Sequence, residues 1–196
     1  MIISHKHKFI FVKTFKTAGS SIEKYLFDYL DKNDIITGEE KEGVPTQNAK
    51  AVRHRTASWI KKYYPSEWET YYKFSVDRNP WDVAVSWYHW MRYAERLQEH
   101  TFNTWIRQTN LTALNNWKRY TIDNEIAVDK VLKYENLENE IQTIPVPYNG
   151  ELKTTFVKSG HRPTKDYKSF YNDETRLLIQ NNFSEVINLF GYAYEN

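Results

Sequence analysis

The segment "KTFKTAGSS", residues 13–21, places lysine, glycine and hydroxyl side chains between an apolar run and a helix-like run. A turn between a strand and a helix directs backbone N–H groups and the positive end of the helix dipole at its ligand, which suits a phosphate. Gly19 would let that ligand approach the backbone closely, and Lys16 adds a cation. Hydroxyl donors come from Thr17, Ser20 and Ser21. The alternative is a helix N-terminus beside solvent-exposed lysines.

The spacing in this segment differs from that of a nucleoside-triphosphate P-loop. A P-loop needs a glycine four residues before Gly-Lys-Ser/Thr, with the lysine directly after the second glycine. Here Lys16 precedes Gly19 by three positions, and no Lys-Ser/Thr pair follows the glycine. The turn is therefore suited to a phosphate but poorly suited to a triphosphate with Mg²⁺.

A second group of candidate residues lies in "VDRNPWDVAVSWY", residues 76–88. Arg78 comes at the carboxyl end of a predicted strand, and Ser86 lies eight positions further on, in the following helix. In an open α/β sheet, ligands collect at the carboxyl ends of the strands, and arginine binds phosphate with a fork of N–H donors. Arg78 can therefore meet a second anionic group, with Ser86 beside it. The alternative is that Arg78 pairs with Asp82 and Ser86 has no binding role.

Alternating strands and helices position these residues. Short β-rich runs predict strands at 9–12, 71–76 and 131–134. Helical spacing, with Asn79 and Pro80 as a helix start and Pro65 as a stop, predicts helices at 20–31, 54–64, 79–97, within 102–118 and at 173–189. This order predicts an α/β protein with a central parallel sheet flanked by helices. Its length of 196 residues suits one domain, 1–196.

Composition limits the classes of protein that the chain can belong to. It is 40% hydrophobic with a mean hydropathy of -0.76 and a net charge of +2, so we expect a water-soluble protein with a true core. Cysteine is absent, which excludes disulfides and cysteine metal sites. No apolar run approaches the roughly 20 residues of a membrane span, and the N-terminal segment lacks a signal-peptide pattern. We expect a cytoplasmic protein with no metal site and no membrane span.

Taken together, the two motifs resemble those of the sulfotransferases that use 3′-phosphoadenosine 5′-phosphosulfate (PAPS), and most closely the carbohydrate-type branch. "KTFKTAGSSIE" is similar to their 5′-phosphosulfate loop, and "VDRNPWDVAVSWY" to their 3′-phosphate motif. The resemblance extends through "RHRTASWIKKYYPSEWETYYKF", "LKYENLENEI" and the segment 162–194. It implies a P-loop-like sulfotransferase fold, PAPS as co-substrate, 3′,5′-adenosine bisphosphate (PAP) as product, and no metal.

The resemblance also implies roles for individual residues. The 5′-phosphosulfate would be bound by Lys16, Thr17, Ala18, Gly19, Ser20 and Ser21. The 3′-phosphate would be bound by Arg78 and Ser86, with Arg162 closing over it from the C-terminal part of the chain. Lys16 would stabilise the leaving oxygen, because charge develops there during the transfer.

A general base must take the proton of the acceptor hydroxyl. His54 is the candidate, because histidine titrates near neutrality and its place matches that of a histidine in similar sulfotransferases. The alternative is a surface histidine beside Arg53 and Arg55. Glu23 is the second candidate base, with a capping box to Ser20 as its alternative role.

Two positions depart from the family pattern. Phe15 stands where similar loops carry proline, and Val83 stands where many relatives have arginine. Neither change removes a phosphate ligand. The resemblance favours a carbohydrate hydroxyl as acceptor, and the segments 31–50 and 143–170 are expected to shape its pocket.

Three other functions stay open. A P-loop-type nucleotide kinase would require Mg²⁺ and ATP, and the missing Gly-Lys-Ser/Thr argues against it. A nucleic-acid-binding module would need exposed aromatic rings. The aromatic residues that alternate with lysines at 59–74 are instead expected in the core. A nucleotide-binding protein without catalysis is the third, and the presence of Lys16 argues against it.

Overall fold

A computed structural model describes residues 1–37, 54–97, 100–150, 152 and 162–195. The chain forms two compact units. The first unit comprises Met1–Asp77 and Asn116–Val157, and the second comprises Arg78–Asn115 and Lys158–Asn196. The expectation of one domain over 1–196 stays a prediction.

The first unit is built on a five-stranded sheet. Its strands are β1 (Ile2–Ser4), β2 (Phe9–Val12), β3 (Ile35–Ile36), β4 (Tyr72–Asp77) and β7 (Lys130–Lys133). A separate two-stranded hairpin, β5 (Thr121–Ile122) and β6 (Glu125–Ile126), precedes β7 in the chain. The strand order is β3-β1-β2-β4-β7. β4 pairs in parallel with both β2 and β7, whereas β1 is antiparallel to β2 and β3.

The α/β class and the three predicted strands are confirmed, but the sheet is mixed rather than wholly parallel. The difference comes from β1 and β3, which extend the parallel part on one side. All four residues of β2 are buried, as expected for a strand covered on both faces. In the register of β2 and β4, Phe11 lies beside Phe74 and their rings stack with centroids 5.0 Å apart.

The helices follow in chain order: α1 (Gly19–Leu26), α2 (Ala57–Tyr63), α3 (Pro65–Thr70), α4 (Pro80–Tyr93), α5 (Phe102–Gln108), α6 (Trp117–Tyr120), α7 (Leu137–Glu140), α8 (Asp173–Asn182) and α9 (Ser184–Phe190). α1 places Ile22 and Leu26 in one buried cluster with Phe9, Phe11 and Phe74. This packing attaches the start of α1, and therefore the turn before it, to the sheet. No helix of the described residues is long and apolar enough to cross a membrane.

The second unit is helical, with a core of its own. Trp81 and Tyr88 of α4 pack with Phe102 of α5 and with Ile179 of α8. α4 ends at Tyr93, so the predicted helix 79–97 was too long. The predicted helix 173–189 is divided at Phe183, where the backbone has φ −124° and ψ 22° between α8 and α9.

Candidate functional site

The turn between β2 and α1 has the backbone of an anion-binding loop. Lys16 and Ala18 both have φ of 60°, in the left-handed region that side-chain-bearing residues seldom adopt. Alternation of left-handed residues turns successive N–H groups to one side of the chain, which makes a concavity for anions. Ala18 is the N-cap of α1, and its carbonyl accepts from the N–H groups of Ser21 and Ile22. The N–H groups of Gly19 and Ser20 precede these bonds at the start of the helix, where N–H groups have no intrahelical acceptor, so they can donate to a ligand.

Hydrogen bonds below the turn hold this shape. Thr17 is completely buried, and its hydroxyl bonds the Thr14 hydroxyl at 2.7 Å. The Thr14 hydroxyl in turn donates to the carbonyl oxygen of Val76 on β4. The Thr17 side chain is thus committed to the interior, and Thr17 would serve a phosphate through its backbone N–H.

Lys13 lies beneath the start of α1 rather than in solvent. It is 4% exposed, its ammonium pairs with the buried Glu23 carboxylate, and it donates to the Ser20 hydroxyl at 3.3 Å. Its side chain runs so close to Gly19 that a Cβ added there would come within 2.8 Å of Lys13 Cγ. Position 19 therefore requires glycine, because any larger residue would collide with the Lys13 side chain.

Glu23 does not form the capping box with Ser20 that its spacing allowed. The N-cap of α1 has no side-chain hydrogen bond, and the Glu23 carboxylate pairs with Lys13 and with the N-terminal ammonium of Met1 at 3.1 Å. A fully buried carboxylate in two ion pairs is poorly placed to take a proton from an acceptor. Its position identifies Glu23 as a structural partner of Lys13.

His54 lies against the loop that carries Lys16. Its Nδ1 is 3.3 Å from the backbone carbonyl oxygen of Lys13, and its ring centroid is 4.1 Å from that of Phe15. A carbonyl oxygen only accepts hydrogen bonds, so this contact places the proton on Nδ1 and leaves the lone pair on Nε2. Burial lowers the pKa of His54 from 6.5 to about 3, and the Lys13 charge adds to the shift. The neutral ring with an accepting Nε2 is the form that a general base requires.

Arg119 of the short helix α6 and Asn116, the N-cap of that helix, fix the conformation of Phe15. Asn116 accepts from the Phe15 N–H at 2.8 Å and donates to the Phe15 carbonyl at 2.9 Å. The guanidinium of Arg119 lies 3.8 Å from the centre of the Phe15 ring and donates to the His54 carbonyl at 2.8 Å. These contacts fix residue 15 in place, at the position where similar loops usually carry proline. Sequence analysis missed both residues, because they lie about a hundred positions from the loop and carry no motif.

In the second unit, Arg78 and Arg162 meet on one carboxylate. Arg78 donates to Asp82 Oδ2 from Nε at 3.0 Å and from Nη2 at 2.6 Å. Arg162 donates to Asp82 Oδ1 and also to the Lys165 carbonyl. The alternative pairing of Arg78 with Asp82 is therefore present, and the same carboxylate also brings Arg162 to Arg78.

Ser86 lies one turn after Asp82 on α4 and is half-buried. Positions four apart share a helix face, so Ser86 stands on the same side of α4 as Asp82. The start of α4 is held by Asn79, whose side chain accepts from the Trp81 N–H at 3.1 Å and donates to the Ala193 carbonyl at 3.0 Å. Two cations and a hydroxyl are thus gathered at the first turns of one helix, a suitable arrangement for a phosphate.

The described residues include no group of three or more His, Asp or Glu side chains that could hold a metal ion.

Comparisons with known proteins agree with the architecture. The crystal structure of mouse sulfotransferase SULT7A1 complexed with PAP matches with a TM-score of 0.54 and 12% identity, over 94% of this chain and 86% of that chain. At this identity the match shows a shared fold. No curated protein sequence matches the chain. The model described as "Sulfotransferase family" matches residues 1–193, and on this match the chain belongs to the sulfotransferase family.

Proposed function

We propose that the protein transfers the sulfuryl group of PAPS to a hydroxyl group of a carbohydrate. The observation that carries the proposal is the β2–α1 turn, which combines left-handed residues at Lys16 and Ala18 with a helix N-terminus and a neighbouring neutral histidine. Membership of the sulfotransferase family supports the reaction. The resemblance of the motifs to the carbohydrate-type branch supports the acceptor. The cytoplasmic location expected from the sequence stays a prediction.

The donor would be held through its two anionic ends. N–H groups from Thr17 to Ser20 would bind the 5′-phosphosulfate, with the hydroxyls of Ser20 and Ser21 and the Lys16 ammonium beside them. Arg78, Arg162 and Ser86 would bind the 3′-phosphate, as charge-assisted hydrogen bonds to phosphate are among the stronger polar contacts. Asp82 supports this role because its carboxylate holds both guanidinium groups at one place before a ligand arrives.

The transfer would proceed by attack of the acceptor oxygen on sulfur. As the new S–O bond forms, the bond between sulfur and the bridging oxygen breaks, and its electron pair stays on the 5′-phosphate. Lys16 would stabilise the negative charge developing on that oxygen. Nε2 of His54 would accept the proton of the acceptor hydroxyl. The products would be a sulfate ester and PAP.

Calorimetry with PAP tests the nucleotide part of this proposal. We expect PAP to bind the parent chain without metal and more tightly than ATP with Mg²⁺. Arg78→Ala should weaken PAP binding by about 10- to 100-fold, because a charge-assisted hydrogen bond contributes roughly 1.5–3 kcal/mol. The matched control is Arg107→Ala, since Arg107 is an exposed arginine paired with Glu174 at 2.7 Å.

The alternatives predict different results. Preference for ATP with Mg²⁺ would favour a kinase. Tight PAP binding with transfer of sulfur-35 from labelled PAPS only to hydroxyl compounds other than glycans would contradict the carbohydrate acceptor, and transfer to no hydroxyl compound would favour a nucleotide-binding protein without catalysis. The proposal requires transfer to a glycan that Lys16→Ala abolishes, in a variant that still binds PAP, although more weakly than the parent because Lys16 lies beside the 5′-phosphate.

A further inference from the structure

Arg119 is held at the surface of the first unit by contacts that engage one of its guanidinium nitrogens and one face of the group. It lies on α6 and is half-buried. Nη1 donates to the His54 carbonyl at 2.8 Å, and the guanidinium carbon lies 3.8 Å from the centre of the Phe15 ring. Both contacts fix the plane of the guanidinium.

Arg119 has no acidic partner among the described residues. Its Nε is buried and has no hydrogen-bond partner there, in contrast to Arg78 and Arg107, which donate to Asp82 and Glu174. Burial lowers the pKa of Arg119 to about 10, so the group is still a cation at neutral pH. Partly removing a cation from water without a counter-charge is costly, and charged groups perturbed in this way cluster at functional sites.

The surroundings of Arg119 belong to the proposed reaction centre. The Phe15 ring that it contacts also contacts the His54 ring, with centroids 4.1 Å apart. Phe15 is followed directly by Lys16, and Asn116, on the turn before Arg119, fixes the Phe15 backbone. An anion bound by Arg119 would therefore lie next to the base and to the turn that takes the phosphosulfate.

We propose that Arg119 binds an oxyanion beside His54, supplied either by the sulfuryl group of the donor or by an acidic group on the acceptor. The sulfuryl group of PAPS and a carboxylate can each present two oxygens to the planar fork of a guanidinium, which can bind them through parallel N–H donors. This inference rests on the proposed function, because PAPS provides the sulfuryl group and the sugar provides the acidic group.

The test compares ligands with and without the anion. Binding of PAP and of PAPS is measured for the parent chain, Arg119→Met and Arg119→Lys. Binding of 4-nitrophenyl β-D-glucuronide and 4-nitrophenyl β-D-glucoside is measured by saturation-transfer NMR in the presence of PAP. Arg107→Met is the control, and thermal unfolding establishes that each variant is folded. Arg119→Lys keeps the charge but loses the fork, and it provides a second variant if methionine disturbs folding.

Either of two results supports the inference. If the anion is the sulfuryl group, Arg119→Met weakens PAPS binding about tenfold or more and leaves PAP binding unchanged. If it belongs to the acceptor, both nucleotides bind as in the parent, but glucuronide binding is lost and glucoside binding is kept. Arg119→Lys should lie between the parent and Arg119→Met.

Three results would overturn it. Equal loss of PAP and PAPS would mean that Arg119 only supports the loop. Unchanged PAPS binding without any loss of glucuronide binding would mean that Arg119 holds no anion. A parent chain that binds neither PAP nor PAPS would refute the proposed function itself, which distinguishes that failure from the other two.

Discussion

The Nδ1 atom of His54 lies 3.3 Å from the backbone carbonyl oxygen of Lys13, three residues before Lys16. This single contact sets the tautomer of the candidate base and attaches it to the loop proposed to bind the donor. Because the base is oriented by the loop backbone, any change in the loop conformation would also move Nε2. The loop and the base thus form one structural element.

His54 should become more basic when the nucleotide binds. In the free protein burial and the positive charge of Lys13 keep the pKa of His54 at about 3. An anion held at the Lys16 turn would favour the protonated imidazole and raise this pKa. NMR titration of the imidazole Cε1–H resonance, with and without PAP, measures the change, and the exposed His100 provides a reference signal. A pKa of His54 that stays the same with PAP would contradict a 5′-phosphate at this loop.

His54 should also make the protein less stable in acid. The unfolded chain protonates His54 near 6.5, whereas the folded chain does so only near 3. Between these values the unfolded state binds more protons, so the free energy of unfolding falls as the pH falls through 6.5 and stops falling for this group near 3. His54→Gln should reduce the loss between pH 7 and pH 5 by about 2 kcal/mol, since each pH unit below 6.5 contributes about 1.4 kcal/mol. Urea unfolding at both pH values tests this, and equal losses in parent and variant would refute it.

Glu23→Gln should destabilise the fold. The carboxylate is fully buried and pairs with the Lys13 ammonium, and removing one partner of a buried ion pair costs roughly 3 kcal/mol or more because the other charge is left in the interior. Urea unfolding measures the change, with the exposed Glu185→Gln as control. A variant as stable as the parent but inactive in sulfuryl transfer would instead assign Glu23 to catalysis.

The buried strands were predictable because burial on both faces leaves a short, continuous apolar run, as in "FIFV". β1 was missed, since it has only three residues and reverses into β2 through a turn with Lys8 at φ 55°, where no glycine signals a hairpin. The division of the C-terminal helix at Phe183 was missed because apolar residues continue across it at helical spacing.

The candidate site likewise contains residues that the sequence reveals and residues that it does not. The Lys16 turn and Arg78 could be identified because each lies in a local strand–helix motif. Arg119 and Asn116 could not be identified from the sequence, because a helix of four residues is too short to show periodicity. Their partners, Phe15 and His54, also lie far from them in the sequence. The burial of Lys13 depends on packing against Gly19, which the spacing does not reveal.

Asn116→Ala should weaken nucleotide binding without unfolding the protein. The substitution removes the two hydrogen bonds, of 2.8 and 2.9 Å, that fix the Phe15 backbone. Each contributes on the order of 1 kcal/mol, so we expect PAP affinity to fall about 3- to 30-fold as the turn loses its bound shape. Calorimetry measures the loss, and the exposed Asn139→Ala is the matched control. Unchanged PAP affinity would show that the turn keeps its shape without this clamp.

Gly19→Ala should destabilise the protein through Lys13. The new Cβ would lie 2.8 Å from Lys13 Cγ and 2.9 Å from Cε. Cγ is close to the backbone, and the ammonium is tied to Glu23, so the lysine cannot move aside without breaking a buried pair. Overpacking of this kind costs about 1–3 kcal/mol, which exceeds the gain of up to about 1 kcal/mol that alanine brings to a helix.

A double-mutant cycle separates these two effects. In a Lys13→Ala background the clashing atoms are absent, so Gly19→Ala should become neutral or slightly stabilising in urea unfolding. The coupling between the two substitutions should then equal the packing cost. Equal destabilisation in both backgrounds would mean that Gly19 is required by a backbone approach other than that of Lys13.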